Sequence, residues 1–355
     1  MTRIAVLGGG NGSHAAVVDL TLKGFEVAWW RRNETSFADG GNLTYDGILG
    51  SGQLRPAVVT ADLGLAVRGA ALVVVPLPAT AQLDLLDRLA PVLEAGQCVA
   101  LLPGTFGTWL GAKRRPDVDF LEVGTLPYLA RQVGPGVVSI PVVATRLPAG
   151  SVPGEGPRAD AAHEVFRRAY PSAVRVTDGL DAALTNWGPV LHPPLVVQNL
   201  GAIESLGDRF DIHNEGTSAG VIRTILALDA ERVSLRVALG FPGEHWSIST
   251  HYEQSPEGMY GADARERLVA SGLWRESLHL EHRYVREDIL CGLTLNASLG
   301  RLAGCPMPVS EAVLALVAVS VGVDPWAEGR TAASIGAQEL DVVRHQARHG
   351  VGPAG

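Results

Sequence analysis

A glycine-rich segment near the start of the chain has the residue types and spacing to bind the phosphates of a dinucleotide. It reads GGGNGSHAA over residues 8–16 and follows an apolar run, Ile4–Leu7, that predicts a strand. Gly8 permits a tight turn, Gly10 lets the backbone approach a pyrophosphate, and the helix expected next offers its N-terminal N–H groups to the anion. Ser13 replaces the third glycine of the G-x-G-x-x-G pattern and is small enough for close helix–sheet packing. The alternative is a glycine-rich turn that binds nothing.

The end of the second predicted strand bears on which dinucleotide is bound. An acidic residue there would hold the ribose 2′-hydroxyl of NAD, but the strand Glu26–Trp30 is followed by Arg31 and Arg32. Arginine suits the 2′-phosphate of NADP better, although solvated arginines in an arginine-rich chain are the alternative. We expect a site that prefers NADP over NAD. Its expected residues lie in the turn, at the two arginines and at the end of a later strand: Gly8, Gly10, Asn11, Gly12, Ser13, His14, Arg31, Arg32 and Pro76.

The elements that must position this turn alternate between short apolar strands and helical stretches in the first half of the chain, as in a parallel α/β sheet. The predicted strands are Ile4–Leu7, Glu26–Trp30, Leu72–Pro76, Cys98–Leu102, Phe120–Val123 and Val137–Val143. After about Leu180, segments with helical spacing take over: Pro194–Leu206, Ser218–Leu239, Ala262–Leu273 and Ser310–Val321. The pattern predicts an α/β Rossmann domain with a doubly wound, mostly parallel sheet over residues 1–178. An all-α substrate domain is expected over residues 179–350.

Composition excludes several classes of protein. Asp and Glu number 37 against 29 Lys and Arg, a net charge of −8, so the surface repels nucleic-acid backbones and anionic membranes. The chain enters a strand at once, without the pattern of a signal peptide, and its longest apolar stretch is too short to span a bilayer. Three scattered cysteines form neither a disulfide framework nor a metal knuckle. We expect a cytoplasmic protein with no nucleic-acid or membrane partner.

Two segments of the second half contain residues that a purely structural role does not explain. One runs from Thr185 to Pro194 and the other from Arg283 to Leu293. With the glycine-rich start, they resemble the octopine/nopaline (opine) dehydrogenase family. The family's motifs have counterparts in order along nearly the whole chain: GGGNGSHA at residues 8–15 (which departs from the family at Ser13), LPYLAR at 126–131, Asn186 with His192-Pro193, Glu215-Gly216-Thr217 (one residue shorter than in the family), Asp229 with Glu231-Arg232, RYVREDILCGL at 283–293, and Pro306 with Pro308.

The resemblance implies an NAD(P)H-dependent reductive condensation of an α-keto acid with the amino group of an amino acid. In that chemistry, His192 would accept and donate a proton, and Asp288 would fix its tautomer and stabilise the imidazolium. Arg283 matches the family's candidate for binding the keto-acid carboxylate, and Arg131 is a second candidate. Without the resemblance, His192 would more readily be a residue at a helix start, Asp288 a charge favoured by the helix dipole, and Arg283 a surface ion-pair partner.

Other functions remain open from the sequence. Glycerol-3-phosphate dehydrogenases and ketopantoate reductases share the two-domain plan but rely on a lysine in the second domain, and no lysine follows Lys113. A 2-hydroxy-acid or hydroxyacyl-type dehydrogenase, and a non-catalytic NADP sensor, are the alternatives.

Several features of the second half carry less information. Four further histidines lack the spacing of a metal site and are expected to be structural or solvent-facing, so we predict no metal: His213, His245, His251 and His279. The segment Phe241–Tyr260 either determines amine specificity, with Trp246 and Tyr252 as candidates, or simply connects two helices. Apolar helices in this half would permit a homodimer.

Overall fold

The computed structural model describes residues 1–32 and 40–352. Within these ranges lie twelve strands: β1 (Arg3–Leu7), β2 (Glu26–Trp30), β3 (Leu43–Gly47), β4 (Gly52–Leu54), β5 (Val58–Thr60), β6 (Leu72–Val75), β7 (Cys98–Leu101), β8 (Asp119–Val123), β9 (Tyr128–Gly134), β10 (Val137–Val143), β11 (Leu147–Val152) and β12 (Ala173–Arg175).

The described α-helices are α1 (Asn11–Leu22), α2 (Leu63–Val67), α3 (Ala79–Leu89), α4 (Gly107–Arg114), α5 (Pro157–Ala169), α6 (Gly179–Ala183), α7 (Gly188–Gln198), α8 (Leu200–Leu206), α9 (Ala219–Ala238), α10 (Ser249–Tyr252), α11 (Ala264–Ala270), α12 (Thr294–Ala303), α13 (Pro308–Val321), α14 (Pro325–Glu328) and α15 (Leu340–His349). A π-helical segment, Tyr284–Leu293, precedes α12, and short 3₁₀ turns occur at Ala90–Val92 and Gly207–Arg209. None of the described helices is long and apolar enough to cross a membrane.

The larger sheet has eight strands in the order β12-β11-β8-β7-β6-β1-β2-β5. All neighbours from β8 to β5 run parallel, while β11 runs antiparallel to β8. The chain reverses its direction of winding between β1 and β6, so their carboxyl ends, at Leu7 and Val75, form the switch point where such sheets bind ligands. This sheet confirms the predicted doubly wound Rossmann fold. Its central strands β6 and β7 are buried throughout, as continuous apolar runs require.

A second sheet of four strands, in the order β4-β3-β10-β9, corrects one prediction. The strand Val137–Val143 exists with the expected bounds, but it pairs with β3 and β9 and does not belong to the large sheet. The apolar run predicts a buried strand without identifying its partners; those follow from the tight connection to β9, where Gly136 has a φ of +66°. The small sheet packs on α1 and thereby covers the helix that follows the glycine-rich turn.

In the second half, α9 forms nearly as predicted, with the hydroxyl of Ser218 accepting a hydrogen bond from the Val221 N–H at its N-terminus. Helix α7 differs from the prediction, because it begins at Gly188 and not at Pro194. Prolines usually stop a helix since each removes a backbone donor. Here Pro193 and Pro194 lie inside α7, which packs closely along the π-helical segment and α9. Tertiary packing therefore overrides the local preference.

The end of the described chain returns to the Rossmann sheet. Helix α15 packs against β11, and the Gly154 N–H donates to the carbonyl oxygens of Ala347 and Arg348 at 2.9 and 3.0 Å. The Trp109 indole N–H likewise donates to the Ile335 carbonyl at 3.0 Å. Residues 332–347 thus share a hydrophobic core with the first half. The division of the chain after residue 178 stays a prediction.

Candidate active site

The glycine-rich turn connects β1 to α1 at the switch point of the sheet. Gly8 has a φ of +126°, and a Cβ there would lie 2.7 Å from Leu77, so only glycine fits without displacement. Gly10 is the N-cap of α1, and a Cβ built on it would meet nothing within 4 Å. Open space therefore adjoins the first turn of a helix whose N–H groups favour an anion. These features fit the pyrophosphate of a dinucleotide.

Other residues predicted to belong to the turn pack against it or connect it to neighbouring elements. Ser13 and His14 are fully buried, and the His14 Nδ1 lies 2.9 Å from the Gly10 carbonyl oxygen, with its ring edge-on to Trp29. The Asn11 side chain accepts a hydrogen bond from the Gln132 N–H at 2.9 Å, which ties the helix to β9. The two buried side chains contribute to the shape of the turn, and their predicted contact with a cofactor stays a prediction.

Arg31 lies where the sequence predicts a contact with the adenosine ribose. Its guanidinium carbon is 4.7 Å from the centre of the Trp29 ring, and its Nε is 3.7 Å from a Cβ built on Gly9. Arg31 is thus held beside the turn, and Arg32 is exposed. The next residues, 33–39, lie outside the described part of the chain.

A cleft of about 390 Å³ opens between the carboxyl edge of the Rossmann sheet and the helical half. It brings together residues from across the sequence that were predicted to form the site: Gly10, Asn11, Gly12, Pro76, Arg131, His192, Arg283 and Asp288. The backbone near Gly12 is packed tightly, since a Cβ there would lie 2.9 Å from Leu126 and 3.3 Å from Pro76. Cofactor and substrate candidates therefore line one continuous space.

His192 and Asp288 form a hydrogen-bonded pair in this cleft. The His192 Nδ1 is 2.7 Å from the Asp288 Oδ2, although the residues are far apart in sequence. Burial lowers the pKa of His192, and the Asp288 carboxylate opposes that shift. The imidazole is thus poised to exchange a proton while the carboxylate fixes its orientation.

The pair depends on a close approach of α7 to the π-helical segment. A Cβ on Gly188 would lie 2.2 Å from the Asp288 Oδ1, and one on Gly292 would lie 2.4 Å from the Pro189 ring. π-Helical turns frequently occur at functional sites, and here the segment carries Arg283 at its N-cap and Asp288 within it.

The two guanidiniums of the cleft have different surroundings. The Arg283 side chain is 50% exposed and lies 4.0 Å from Glu287, its only ion-pair partner among the described residues. Glu287 is buried, and its pKa is raised to about 7 by burial and by the neighbouring Asp288 charge. Arg131, by contrast, donates to the Glu276 carboxylate at 3.1 Å. Because its ion pair is longer, Arg283 is the more available of the two guanidiniums for binding a ligand.

A polar network next to His192 was not predicted from the sequence. The ring of Tyr284 stacks on the His192 ring, with centres 3.6 Å apart and planes within 8°. Its hydroxyl donates to the Glu276 carboxylate at 2.5 Å and lies 2.8 Å from the His213 Nε2. Burial, followed by the Glu276 charge, raises the pKa of Tyr284 well above its usual value. Tyr284 was visible only as part of the RYVRED motif, while nothing in the sequence pointed to Glu276.

Glu276 stays ionised at the centre of this network. Burial alone would raise the pKa of its carboxyl, but hydrogen bonds from His213 and His282 and the charges of Arg131 and Arg283 hold it far below its usual value. The network therefore fixes the Arg131 guanidinium and the Tyr284 ring together.

Of the four histidines that were expected to be structural or solvent-facing, two line the cleft. His213 is buried and stacks on Trp274 at 4.2 Å, and His251 faces the same space. The segment Phe241–Tyr260 also reaches the cleft, but through Ile248, His251 and Tyr260. The two aromatic residues singled out from the sequence, Trp246 and Tyr252, do not line it.

The motif formed by Asp229, Glu231 and Arg232 has a structural role. All three are buried on α9. Asp229 and Arg232 form an ion pair at 2.7 Å, and Arg232 also donates to the Trp246 carbonyl. Glu231 accepts hydrogen bonds from the backbone and hydroxyl of Ser310 at the start of α13. These charged side chains lie outside the cleft, where they fix the loop at Trp246 and the start of α13.

A Rossmann sheet with a glycine-rich turn, facing a helical half that supplies a His–Asp pair, defines a two-domain nicotinamide-dependent dehydrogenase. Comparison with known proteins narrows this class. The family model for the alpha-helical domain of NAD/NADP octopine/nopaline dehydrogenase matches residues 175–320. An opine dehydrogenase from Arthrobacter sp. (strain 1C) is 30% identical over 350 residues, covering 95% of each chain. The chain belongs to the opine dehydrogenase family and is an NAD(P)-dependent oxidoreductase.

Solved structures agree on the fold. Octopine dehydrogenase with NADH and L-arginine has a TM-score of 0.73 at 18% identity, covering 97% of this chain and 98% of that one. Yersinopine dehydrogenase with NADP⁺ has a TM-score of 0.65 at 15% identity, covering 96% and 99%.

Proposed function

We propose that this protein joins an α-keto acid to the amino group of an amino acid, using NAD(P)H to reduce the resulting imine to a secondary amine dicarboxylate. The observation that carries the proposal is the His192–Asp288 pair, which shares one cleft with two guanidiniums and the glycine-rich turn. The product has two carboxylates, and Arg283 and Arg131 supply two positive charges to bind them.

The chemistry requires proton transfers that His192 is suited to perform. The amine nitrogen, once deprotonated, attacks the keto carbon to give a carbinolamine, which loses water to form the imine. Neutral His192 would take the proton from the amine and, as an imidazolium stabilised by Asp288, would return one to the departing hydroxyl. The bound reduced nicotinamide supplies the hydride that reduces the imine carbon. Arg283 would orient the keto-acid carboxylate beside the pair.

The residues of the turn and the arginines after β2 support NADP as the preferred cofactor. Among the described residues, the end of β2 is followed by Arg31 and Arg32 and by no acidic side chain, and Arg31 is held beside the turn by its contact with Trp29. A guanidinium there would pair with a 2′-phosphate. Arg31→Ala and Arg32→Ala should raise KM for NADPH and leave KM for NADH nearly unchanged. Equal effects on both cofactors would contradict the preference.

We also propose a cytoplasmic location. The three cysteines are free, as is usual in a reducing compartment, and Cys98 is buried among apolar residues of the sheet core.

The reaction is tested by mixing each α-keto acid with each amino acid or amine in the presence of NADPH or NADH. The absorbance of the reduced nicotinamide then measures how fast the cofactor is oxidised. Consumption that requires both a keto acid and an amine is the expected result. Consumption with a keto acid alone would identify a 2-hydroxy-acid dehydrogenase. Cofactor binding without turnover of any pair would favour a sensor.

A further inference from the structure

Tyr284 lies between His192 and a negatively charged carboxylate, and the proton transfers proposed above do not use it. Its ring stacks on the imidazole of His192, with centres 3.6 Å apart and planes within 8°. Both rings are largely removed from water, since Tyr284 is buried and the His192 side chain is 13% exposed. The face of the phenol ring therefore lies within the range of a cation–π contact whenever the imidazole is protonated.

The hydroxyl end of Tyr284 is held by an ionised group. The hydroxyl donates to the Glu276 carboxylate at 2.5 Å, and the His213 Nε2 lies 2.8 Å from the same oxygen. The hydrogen bonds and charges around Glu276 hold the pKa of its carboxyl far below the usual value, so it stays negative. A phenol that donates to a carboxylate is polarised by that bond and gains electron density in its ring. The face that Tyr284 presents to His192 is therefore more negative than that of a phenylalanine.

The groups in closest contact with His192 pull its charge state in opposite directions. Burial lowers the pKa of His192, and the Asp288 carboxylate opposes that shift. Arg283, at the N-cap of the π-helical segment, and His213 both lower the pKa of His192 further. The imidazolium thus needs more stabilisation than an exposed histidine would.

Other charged groups reach the cleft from elements around α7. Glu287 lies on the π-helical segment, and burial and a neighbouring carboxylate raise its pKa to about 7. Arg131 on β9 is bonded to Glu276, and burial lowers the pKa of His251 to about 4, so that ring is neutral. Helices α8, α9 and α13 also pack on α7; all three lie within the described residues, and none of their charged side chains lines the cleft.

We propose that Tyr284, polarised by Glu276, stabilises the imidazolium form of His192 and so sets the proton affinity of the proposed catalytic base. The step it favours is the first proton transfer, in which the N–H bond of the amine breaks and the imidazole gains the proton. The imidazolium then lasts until it returns a proton to the departing hydroxyl. Tyr284 is thus a positioning residue that acts through His192. Its part in catalysis rests on the proposed function, whereas its effect on the imidazole does not.

The experiment measures the pKa of His192 directly, without substrates, by NMR of the protein labelled with ¹³C-histidine. The His192 signal is the one that is lost in His192→Gln. Tyr284→Leu removes the aromatic face and should lower the pKa of His192 by about one pH unit, the effect of losing a cation–π contact away from water. Tyr284→Phe keeps the stack but loses the bond to Glu276, and should lower the pKa by roughly a third as much.

Two further variants complete the test. Tyr45→Phe removes a tyrosine hydroxyl on β3, away from the cleft, and should leave the pKa of His192 unchanged. Glu276→Gln keeps the stacked ring and removes the charge that polarises it, so it should lower the pKa as well; with Tyr284→Phe it carries the test if Tyr284→Leu does not fold. An unchanged or raised pKa in the Tyr284 variants would overturn the proposal, even if those variants were less stable, because that result describes a purely structural role.

Kinetics separate this proposal from the proposed function. Where a keto acid and an amine are turned over, the acidic limb of kcat/KM should move to lower pH in the same order of variants, because neutral His192 then persists to lower pH. Turnover by the wild type with no change of the His192 pKa in the variants would overturn this proposal alone. The expected pKa order without turnover of any substrate pair would refute the proposed function and leave the effect of Tyr284 on the imidazole in place.

Discussion

Gly188 provides the sharpest test of the proposed active-site geometry, because a single methyl group there would displace the Asp288 carboxylate, which we propose orients His192. A Cβ at this position would lie 2.2 Å from the Asp288 Oδ1 and 3.2 Å from its Cγ. An ordinary contact needs at least about 3.4 Å, so the carboxylate must move by roughly 1 Å. The Asp288 Oδ2 is bonded to His192 at 2.7 Å, and such a displacement breaks that bond.

The expected magnitude follows from the role of the pair. A displacement of about 1 Å at a reacting centre costs on the order of a hundredfold in rate, and general acid–base catalysis contributes about 10²–10⁴-fold. Gly188→Ala should therefore lower kcat about a hundredfold. Affinity for NADPH should change little, because the glycine-rich turn lies on the other domain. Steady-state kinetics and fluorescence titration with NADPH measure the two quantities.

Two controls distinguish this mechanism from a general effect of the substitution. Gly201→Ala on α8 adds a methyl where nothing lies within 4 Å and should leave kcat unchanged. If Gly188→Ala acts through Asp288, combining it with Asp288→Asn should cost little more than Asp288→Asn alone. Unchanged kcat in Gly188→Ala, or full additivity with Asp288→Asn, would refute the reasoning.

Three further predictions follow from the same structure. His192→Ala and Asp288→Asn should each lower kcat at least about a hundredfold while NADPH still binds, and unchanged turnover in either variant would remove that residue from the mechanism. Tyr284→Phe keeps the stacked ring but removes one of the donors to the partly buried Glu276 carboxylate, so urea titration should detect a loss of about 1–3 kcal/mol, with kcat reduced less than in the His192 variant. Burial lowers the pKa of His163 to about 4 from 6.5, so its contribution to stability is complete above pH 6.5 and is lost as pH falls towards 4. The slope should reach at most about 1.4 kcal/mol per pH unit, and His163→Gln should make it shallower in urea unfolding across that range; equal slopes would contradict the assignment.

The sequence alone identified the features that depend on neighbouring residues. The glycine-rich turn, the strands β1, β2, β6, β7 and β8, and helix α9 all follow from local spacing. Apolar periodicity and the backbone freedom of glycine act over a few residues, and the structure preserves them. The ordered motifs also indicated the family, since His192 and Asp288 lie in segments that local structure does not require.

The tertiary structure determined the features that depend on contacts between elements distant in sequence. Val137–Val143 is a strand by its sequence, but its place in the small sheet depends on its partners β3 and β9. Helix α7 begins before its prolines because packing against the π-helical segment outweighs their local cost. Glu276 carries no local signal, yet it joins Arg131 and His213, which are distant in sequence, to the nearer Tyr284 and His282. Hydrogen bonds and charge pairs require approach to within a few ångströms, and only the packed fold determines which residues come that close.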